Sequence, residues 1–495
     1  MRPDAFPALR VLFVTPEVTP LAHTGGLGDV AGGLPPALAA RGLEVRLVMP
    51  LYGGIDRAAH GLEPMGLACD TPVGGRVLRA EIWQGSLNGC PLYLLGNDEL
   101  FARPGLYGDA DGDFSDNLLR FAFLCRGAVE LVRALDWPAQ VVHAHDWQTA
   151  LLPAYLASAP FDLGPLAKAA GVLTVHNLAF QGIFPRSDFA LTGLPPALDD
   201  MEGAEFWGNI SLLKAGLMTA DAITTVSPTY AAEIQTPELG MGLDGVLRRR
   251  SSDLHGILNG VDYSRWSPEA DPWLPAAYSA RDLAGKAVCQ EALLAAFGLE
   301  PPPKGGMVMG FIGRLTDQKG VDLIARAGRA LVERGARLAL LGTGDAELEA
   351  ALAHLAARLA GKVGLKLAFS EELAHLMQAG SDLMLMPSRF EPCGLNQMYA
   401  LRYGTPPLVH ATGGLKDTVR PFDPDTGRGD GFVFSPHALD AFMSEAARAQ
   451  DVFAQAGAWR TLQANGMARD FSWAASAAQY ARLFGEVVQR KATRT

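Results

Sequence analysis

Cysteine is scarce in this chain, with 5 residues among 495, an odd count and no CxxC pair. Cys69, Cys90, Cys125, Cys289 and Cys393 therefore read as buried thiols in a reducing compartment, not as a disulfide framework. No apolar run reaches the ~18 residues that a membrane-spanning helix needs. The first one, Val11–Val14, follows Arg2, Pro3 and Asp4 and is too short for the core of a secretory signal. These absences predict a cytoplasmic protein with no membrane contact. A basic excess is missing too: the net charge is −11, which excludes a general nucleic-acid binder. A neutral polymer, or a small anion held by a few local cations, remains compatible with that charge. No GxxxxGK[ST] occurs, so a P-loop is excluded. Gly342-Thr343-Gly344 resembles a dinucleotide fingerprint but lacks its third glycine.

What is present begins with a repeated tetrapeptide. Thr-Gly-Gly-Leu occurs in Thr24-Gly25-Gly26-Leu27-Gly28-Asp29-Val30 and again in Thr412-Gly413-Gly414-Leu415-Lys416-Asp417-Thr418. Each copy follows a strand-like run, Val11–Val14 or Pro407–Val409, and leads toward a helix. A glycine pair at such a junction lets backbone N–H groups approach an anion at a helix N-terminus. Two such junctions predict two nucleotide-fold domains facing each other across a cleft.

The 49% hydrophobic and 19% charged composition is that of a globular chain, and 495 residues are enough for two or more cores. Strand-like runs at Arg10–Thr15, Val45–Met49, Leu92–Leu95, Val141–Ala144, Gly171–Val175 and Ala222–Val226 alternate with helical segments. Those include Val30–Arg41, Asn117–Leu135 and Trp147–Ala157. Asp262–Asp282 loses periodicity and reads as a connector. The alternation restarts with strands at Val308–Ile312, Arg337–Leu341, Lys366–Phe369 and Leu383–Met386. Helices are expected there at Val321–Arg334, Asp345–Leu359, Glu371–Ala379 and Gln397–Tyr403. The pattern predicts an α/β protein with mostly parallel, doubly wound sheets: residues 1–260, residues 261–470, and an amphipathic helix in 471–495 that returns to the first domain.

Polar clusters follow several strands: His143 to Gln148, His176-Asn177, Gly313 to Gly320 and Pro387 to Leu395. Ligands in open α/β sheets bind outside the carboxyl ends of the strands. Arg314 and Lys319 could neutralise a diphosphate, although a solvated pair at a helix start is the plain alternative. Glu391 opens a Pro-x-Gly turn, where it could hold sugar hydroxyls, a developing positive charge, or merely a helix dipole. Cys393 reads as a half-buried structural thiol. His143, His145 and Asp146 lack a third ligand cluster, so no metal is expected. Asp109-Ala110-Asp111-Gly112-Asp113 starts like a calcium loop but has Phe114 at its sixth position and Arg120 at its last, so it reads as a solvated acidic loop.

Taken together, these motifs resemble bacterial glycogen synthase and plant starch synthase, retaining glucosyltransferases of the two-domain GT-B fold. The resemblance runs from Val11 to about Tyr480. It is carried by Thr24–Val30, His145-Asp146-Trp147-Gln148-Thr149, Thr174-Val175-His176-Asn177, Asn259-Gly260-Val261-Asp262, Gly313-Arg314-Leu315 with Lys319-Gly320, Pro387–Leu395 and Phe471-Ser472-Trp473. It implies transfer of glucose from ADP-glucose to the non-reducing 4-OH of glycogen or another α-1,4-glucan, without a cofactor. The first domain would serve the acceptor and the second the nucleotide-sugar donor.

Residue by residue, the resemblance implies that Arg314 and Lys319 hold the diphosphate. Glu391, with Cys393, Gly394 and Leu395, would hold the donor glucose. His176 would lie over the reacting sugar, with Asp146, Asn177 and Asn259 contributing contacts. Phe369 falls where an adenine-facing Tyr is frequent, and Tyr107 where a loop Tyr closes over the donor. Gly25, Gly26 and Gly28 would bring backbone N–H groups to the donor or acceptor. One departure stands out: His23 occupies the position of a usual Lys. It keeps open a catalytically weak or UDP-glucose-using glucan-binding homologue. A nicotinamide-dependent oxidoreductase would need a complete GxGxxG, and a phosphorylase a pyridoxal-phosphate lysine with its own signature. Neither is visible here.

Overall fold

Strands that are apolar along their whole length need cover on both faces, which a parallel sheet flanked by helices supplies. The computed structural model describes residues 9–109 and 112–494. The expectations that touch Arg2, Pro3, Asp4, Ala110 and Asp111 lie outside the described residues. Contacts divide the chain into two units, Met1–Gly260 with Trp473–Thr495, and Val261–Ser472. Among the described residues no helix is long and apolar enough to cross a membrane.

The first unit is built on a nine-stranded sheet. Its order is Leu254–Gly256, Ala222–Thr225, Ala170–Val175, Val141–His145, Arg10–Val14, Glu44–Pro50, Cys90–Gly96, Arg76–Leu87, Glu63–Val73. All neighbours as far as Cys90–Gly96 pair in parallel. The last two strands extend the sheet as an antiparallel hairpin. Sequence periodicity did not show this hairpin, because Pro64, Gly66 and Pro72 interrupt a half-exposed alternation. Strand order reverses between Arg10–Val14 and Val141–His145, and that switch point is where a sheet of this kind opens a ligand crevice.

Helix Gly26–Ala39 starts four residues earlier than its apolar pattern suggests, because Gly26 itself begins it after an extended Gly25. The segment expected as one helix from Trp147 is two, Asp146–Thr149 and Leu151–Ser158. The terminal helix, Trp473–Arg494, belongs to the first unit. Its Trp473 indole occupies the space left by Gly33, where a Cβ would come within 2.0 Å of Nε1. Its Ser476 hydroxyl donates to the Leu258 carbonyl at 2.5 Å.

The second unit holds a six-stranded parallel sheet. Its order is Val363–Lys366, Arg337–Leu341, Val308–Ile312, Leu383–Met386, Pro407–His410, Phe432–Phe434. Here the switch point lies between Val308–Ile312 and Leu383–Met386. Helices Val321–Glu333, Ala346–Arg358, Glu371–Gly380 and Asn396–Arg402 lie within a residue or two of their expected bounds. The expected strand Lys366–Phe369 is displaced toward the N-terminus, which leaves Phe369 beyond it and 88% exposed. The connector after Asn259 is irregular but pinned. Trp266 is stacked between His375 and Tyr399 at centroid distances of 3.7 and 3.9 Å, and the buried Asp271 carboxylate accepts from His375 Nδ1 at 2.7 Å.

The two Thr-Gly-Gly-Leu turns do different work. Gly413 has φ 43°, and a Cβ on it would lie 2.0 Å from the Glu391 carbonyl oxygen. A Cβ on Gly414 would lie 2.0 Å from the Cys393 carbonyl oxygen, and the Gly414 N–H is already donated to Glu391 O at 3.0 Å. This second pair exists for close backbone approach to the Glu391 loop. Gly414→Ala should therefore destabilise the chain by about 1–3 kcal/mol, as expected when a close-packed site is overfilled. Urea-induced unfolding measures this, and a midpoint equal to that of the parent chain would contradict the packing role.

Candidate functional site

Every candidate residue of the first unit follows the carboxyl end of one of its parallel strands. Beyond Arg10–Val14 the chain turns through Glu17, whose side chain is buried. Glu17 Oε2 accepts the Thr24 N–H at 2.6 Å, and Oε1 accepts the Thr24 hydroxyl at 2.8 Å and the Tyr107 hydroxyl at 2.5 Å. Glu17 was not singled out from the sequence. The signal was there, since Thr15-Pro16-Glu17 is a polar strand end like those that drew attention elsewhere. Gly25 and Gly26 are exposed at the start of their helix, and a Cβ on Gly25 would meet nothing within 4 Å. Gly28 packs instead, since its Cβ would lie 2.4 Å from that of His23. His23 is exposed on a cavity of about 250 Å³ that Leu21, Tyr52, Ile55, Arg103 and Leu106 also line.

A ladder of histidines runs along the strand Val141–His145 and onto His176, just after Ala170–Val175. His143 Nε2 meets Thr174 Oγ1 at 2.7 Å, and His145 Nδ1 meets His176 Nε2 at 3.0 Å, so in that pair one ring donates and the other accepts. Phe13, Tyr480 and Phe484 pack around His143 at centroid distances of 5.1, 5.4 and 5.3 Å. Burial holds His143 and His176 down to about 3 and His145 well below the ordinary imidazole range. All three rings are thus neutral near pH 7.

Asp146 follows directly, in a left-handed conformation at φ 53° that is uncommon for a residue with a Cβ. It aims Oδ1 at the His176 N–H, 2.6 Å away. Burial pushes the Asp146 carboxyl up to about 8; the N–H groups of His176 and Asn177 oppose that shift and the nearby Glu17 charge adds to it. Asn177 caps its own turn by accepting the Ala179 N–H at 3.1 Å. Asn259 is buried, and among the described residues its Oδ1 has no hydrogen-bond partner.

In the second unit the loops after Val308–Ile312 and Leu383–Met386 meet. Lys319 Nζ lies 2.6 Å from Glu391 Oε2, which also accepts the Ser388 hydroxyl at 2.9 Å. Arg389 supports this meeting, with its guanidinium 2.8 Å from Asp322 and its N–H donated to the Gln318 carbonyl at 2.9 Å. Gly320 allows it: at φ 65°, a Cβ there would lie 1.9 Å from the Pro387 carbonyl oxygen. Gly342-Thr343-Gly344 packs on the same region, since a Cβ on Gly342 would lie 1.9 Å from the Gly313 carbonyl oxygen. Those glycines serve packing and not a dinucleotide. Arg314 is exposed. Cys393 is buried more deeply than expected, and the carbonyls of Cys393 and Gly394 are held by the Gln397 amide at 3.0 and 2.9 Å. Lys319, Ser388 and Glu391 are therefore brought together, whereas Phe369 is exposed beyond its strand. Ser388 and Arg389 had been seen only as parts of a motif. Among the described residues no three His, Cys, Asp or Glu side chains converge as a metal set.

Comparison with known proteins agrees over nearly the whole chain. Residues 10–249 match the family described as starch synthase catalytic domain, and residues 299–449 match glycosyl transferases group 1. The chain is 49% identical over 477 residues to the glycogen synthase of Anaeromyxobacter dehalogenans, covering 96% of this chain and 98% of that protein. It is 47% identical over 488 residues to the glycogen synthase of Myxococcus xanthus, with coverages of 97% and 100%. The catalytic domain of starch synthase IV from Arabidopsis thaliana, bound to ADP and acarbose, superposes with a TM-score of 0.90 at 33% identity, covering 98% of this chain and 100% of that one. Sucrose-phosphate synthase from Thermosynechococcus elongatus, at 19% identity over 97% of this chain and 100% of that one and a TM-score of 0.59, shares the fold.

The histidine ladder and Asp146 give the first unit its own pH dependence. Between about pH 4 and 6.5 the unfolded chain protonates three imidazoles that the folded unit keeps neutral, while the folded unit holds one extra proton on Asp146. The unfolded state binds more protons there, so this cluster adds stability as pH rises to about 6.5. Above that, Asp146 alone is out of step up to its value of about 8, and its contribution falls as pH rises. Thermal melts across this range should show Asp146→Asn removing the alkaline decline and His143→Gln shallowing the acid rise. Profiles parallel to the parent's in both variants would refute the assignment.

Proposed function

Because the chain belongs to the glycogen synthase family of hexosyltransferases, with two Rossmann-like units of the GT-B fold, we propose that it transfers glucose from ADP-glucose to the non-reducing 4-OH of an α-1,4-glucan with retention of configuration. The observation that carries this reading is the Lys319–Glu391–Ser388 cluster at the switch point of the second sheet. An ammonium ion held by a buried carboxylate is a fixed charge, and fixed charges stabilise a leaving diphosphate with little reorganisation.

In this reading the second unit, Val261–Ser472, serves the donor. Lys319 and the exposed Arg314 neutralise the diphosphate, and Glu391 with the turn Cys393–Leu395 holds the glucose. The first unit serves the glucan acceptor, with Asp146, His176, Asn177 and Asn259 as its sugar-contacting set. Asn259 has a buried Oδ1 without a partner among the described residues, as such a role would use. Tyr107 and Phe369 are assigned to the donor, Tyr107 from a loop and Phe369 as an exposed ring able to meet a base. Glu391 is already committed to Lys319 and Ser388, which favours a front-face route over covalent attack by its carboxylate. In that route the C1–O bond to ADP breaks, the acceptor oxygen attacks the same face, and the departing phosphate takes its proton. Positioning and charge supply the rate. The five buried thiols support a cytoplasmic setting.

Transfer from radiolabelled ADP-glucose and UDP-glucose to glycogen, with and without a chelator, tests the reading. Incorporation from ADP-glucose that survives the chelator is expected. No incorporation from either donor rejects the function, and loss with chelator rejects the metal-free route. A UDP-glucose preference or weak catalysis is the second reading, favoured by His23 at the usual lysine position. An imidazole is a weaker cation than an ammonium group. His23→Lys should therefore tighten donor binding at pH 8; unchanged affinity by calorimetry would show that the position does not face the phosphates.

A further inference from the structure

We propose that Glu17 is a positioning residue, a buried carboxylate that ties the turn Thr24–Gly28 to the loop carrying Tyr107 and so fixes the shape in which that turn meets a nucleoside-diphosphate sugar. The proposal rests on the glucosyltransfer reading for its ligand, but the link itself is read from geometry alone.

Glu17 is only 3% exposed. Among the described residues its carboxylate is met by a backbone N–H and two hydroxyls rather than by a cation, at 2.6, 2.8 and 2.5 Å. A buried carboxylate is costly unless its oxygens are satisfied, so these partners are strongly held. The backbone is fixed as well, since the Thr15 hydroxyl donates to Glu17 O at 2.9 Å. Glu17 thus fills part of the anion niche that the first glycine turn suggested. The Thr24 N–H points at an internal carboxylate and not at a ligand. The exposed Gly25 and Gly26, at the head of the 14-residue helix Gly26–Ala39, are what remain available.

The link continues beyond Tyr107. Its carbonyl accepts the Asn117 side-chain amide at 2.8 Å and the Phe114 N–H at 2.9 Å. Asn117 Oδ1 accepts Arg120 Nη1 at 2.6 Å, and Arg120 is wholly buried with its Nε donated to Leu100 O at 2.7 Å. A continuous run of hydrogen bonds therefore leads from the buried Arg120 through Asn117, Tyr107 and Glu17 to Thr24. Glutamine in place of Glu17 keeps one accepting oxygen but turns the other into an NH2 group, so the two hydroxyls would have to accept instead of donate and the charge-assisted bonds are lost.

The test is steady-state kinetics on the full chain with ADP-glucose and glycogen, using Glu17→Gln, Tyr107→Phe and the double variant. Each single change should raise the donor KM about tenfold with a smaller effect on kcat, as expected for loss of a hydrogen bond to a charged group. The double variant should be no worse than the more damaging single one, because both cut the same link. Unchanged donor KM, or multiplicative effects, overturns the proposal. Hydrogen exchange on Tyr107→Phe, which leaves Glu17 in place, supplies a readout independent of activity and of the folding of Glu17→Gln. Faster exchange in both segments 19–28 and 103–109 supports the link, and faster exchange confined to 103–109 overturns it. If the parent chain transfers no glucose, the functional reading fails while the exchange result still judges the link.

Discussion

The constraint on which the structure depends is that a parallel sheet must be covered on both faces. Val11–Val14, Val141–Ala144 and Ala170–Val175 are buried throughout, and so are Leu338–Leu341 and Leu383–Leu385. Nothing polar can be displayed on those faces without a partner. Chemistry is therefore confined to the strand ends, where the backbone leaves the ladder and N–H and C=O groups need new partners. In the second unit Lys319 and Glu391 meet at the reversal in strand order, where two neighbouring loops diverge to opposite faces and leave room between them.

Strand ends that gather also crowd. The loops at Gly313, Gly320, Gly413 and Gly414 approach neighbouring carbonyls so closely that a Cβ on Gly320, Gly413 or Gly414 would clash, while Gly342 makes the matching approach to Gly313. Glycine here is a condition for packing polar backbone against polar backbone around Glu391. That same packing holds Lys319 at 2.6 Å from Glu391 and hands Ser388 to the same oxygen. Preorganisation in the second unit is thus a consequence of glycine placement as much as of charge.

Much of this was legible in the sequence, for reasons that can be stated element by element. Val321–Glu333 was visible because its buried residues follow the helical period, and Arg337–Leu341 because it is a short apolar run buried throughout. The hairpin Glu63–Leu87 was not, because its prolines and glycines blur an alternation that is only half buried. The strand at Val363–Lys366 was misplaced because Leu365, Leu367 and Phe369 look equally strand-like, although only the earlier residues find a partner in Arg337–Leu341. In the site, residues in long motifs were readable and lone ones were not. Glu17 and Ser388 depend on groups distant in the chain, and Tyr107 lies 90 positions from the carboxylate it meets. The two Thr-Gly-Gly-Leu turns looked alike because the sequence shows the glycines and not what fills the space beside them.

Among the described residues of the first unit, two neighbouring buried carboxyl groups, Asp146 and Glu17, form no ion pair. Asp146 is met mainly by backbone N–H groups and sits in a site so desolvated that its proton is retained to about pH 8. Glu17 instead is met by the Thr24 N–H and by two hydroxyls that come from different loops. The Glu17 charge adds to the upward shift of Asp146, so the two groups are coupled electrostatically as well as by proximity. A protonated Asp146 can donate a hydrogen bond where an ionised one could only accept, and the neutral rings of His143, His145 and His176 beside it add no positive charge to reverse that state. The three imidazoles and the Asp146 carboxyl at these strand ends are therefore uncharged at neutral pH.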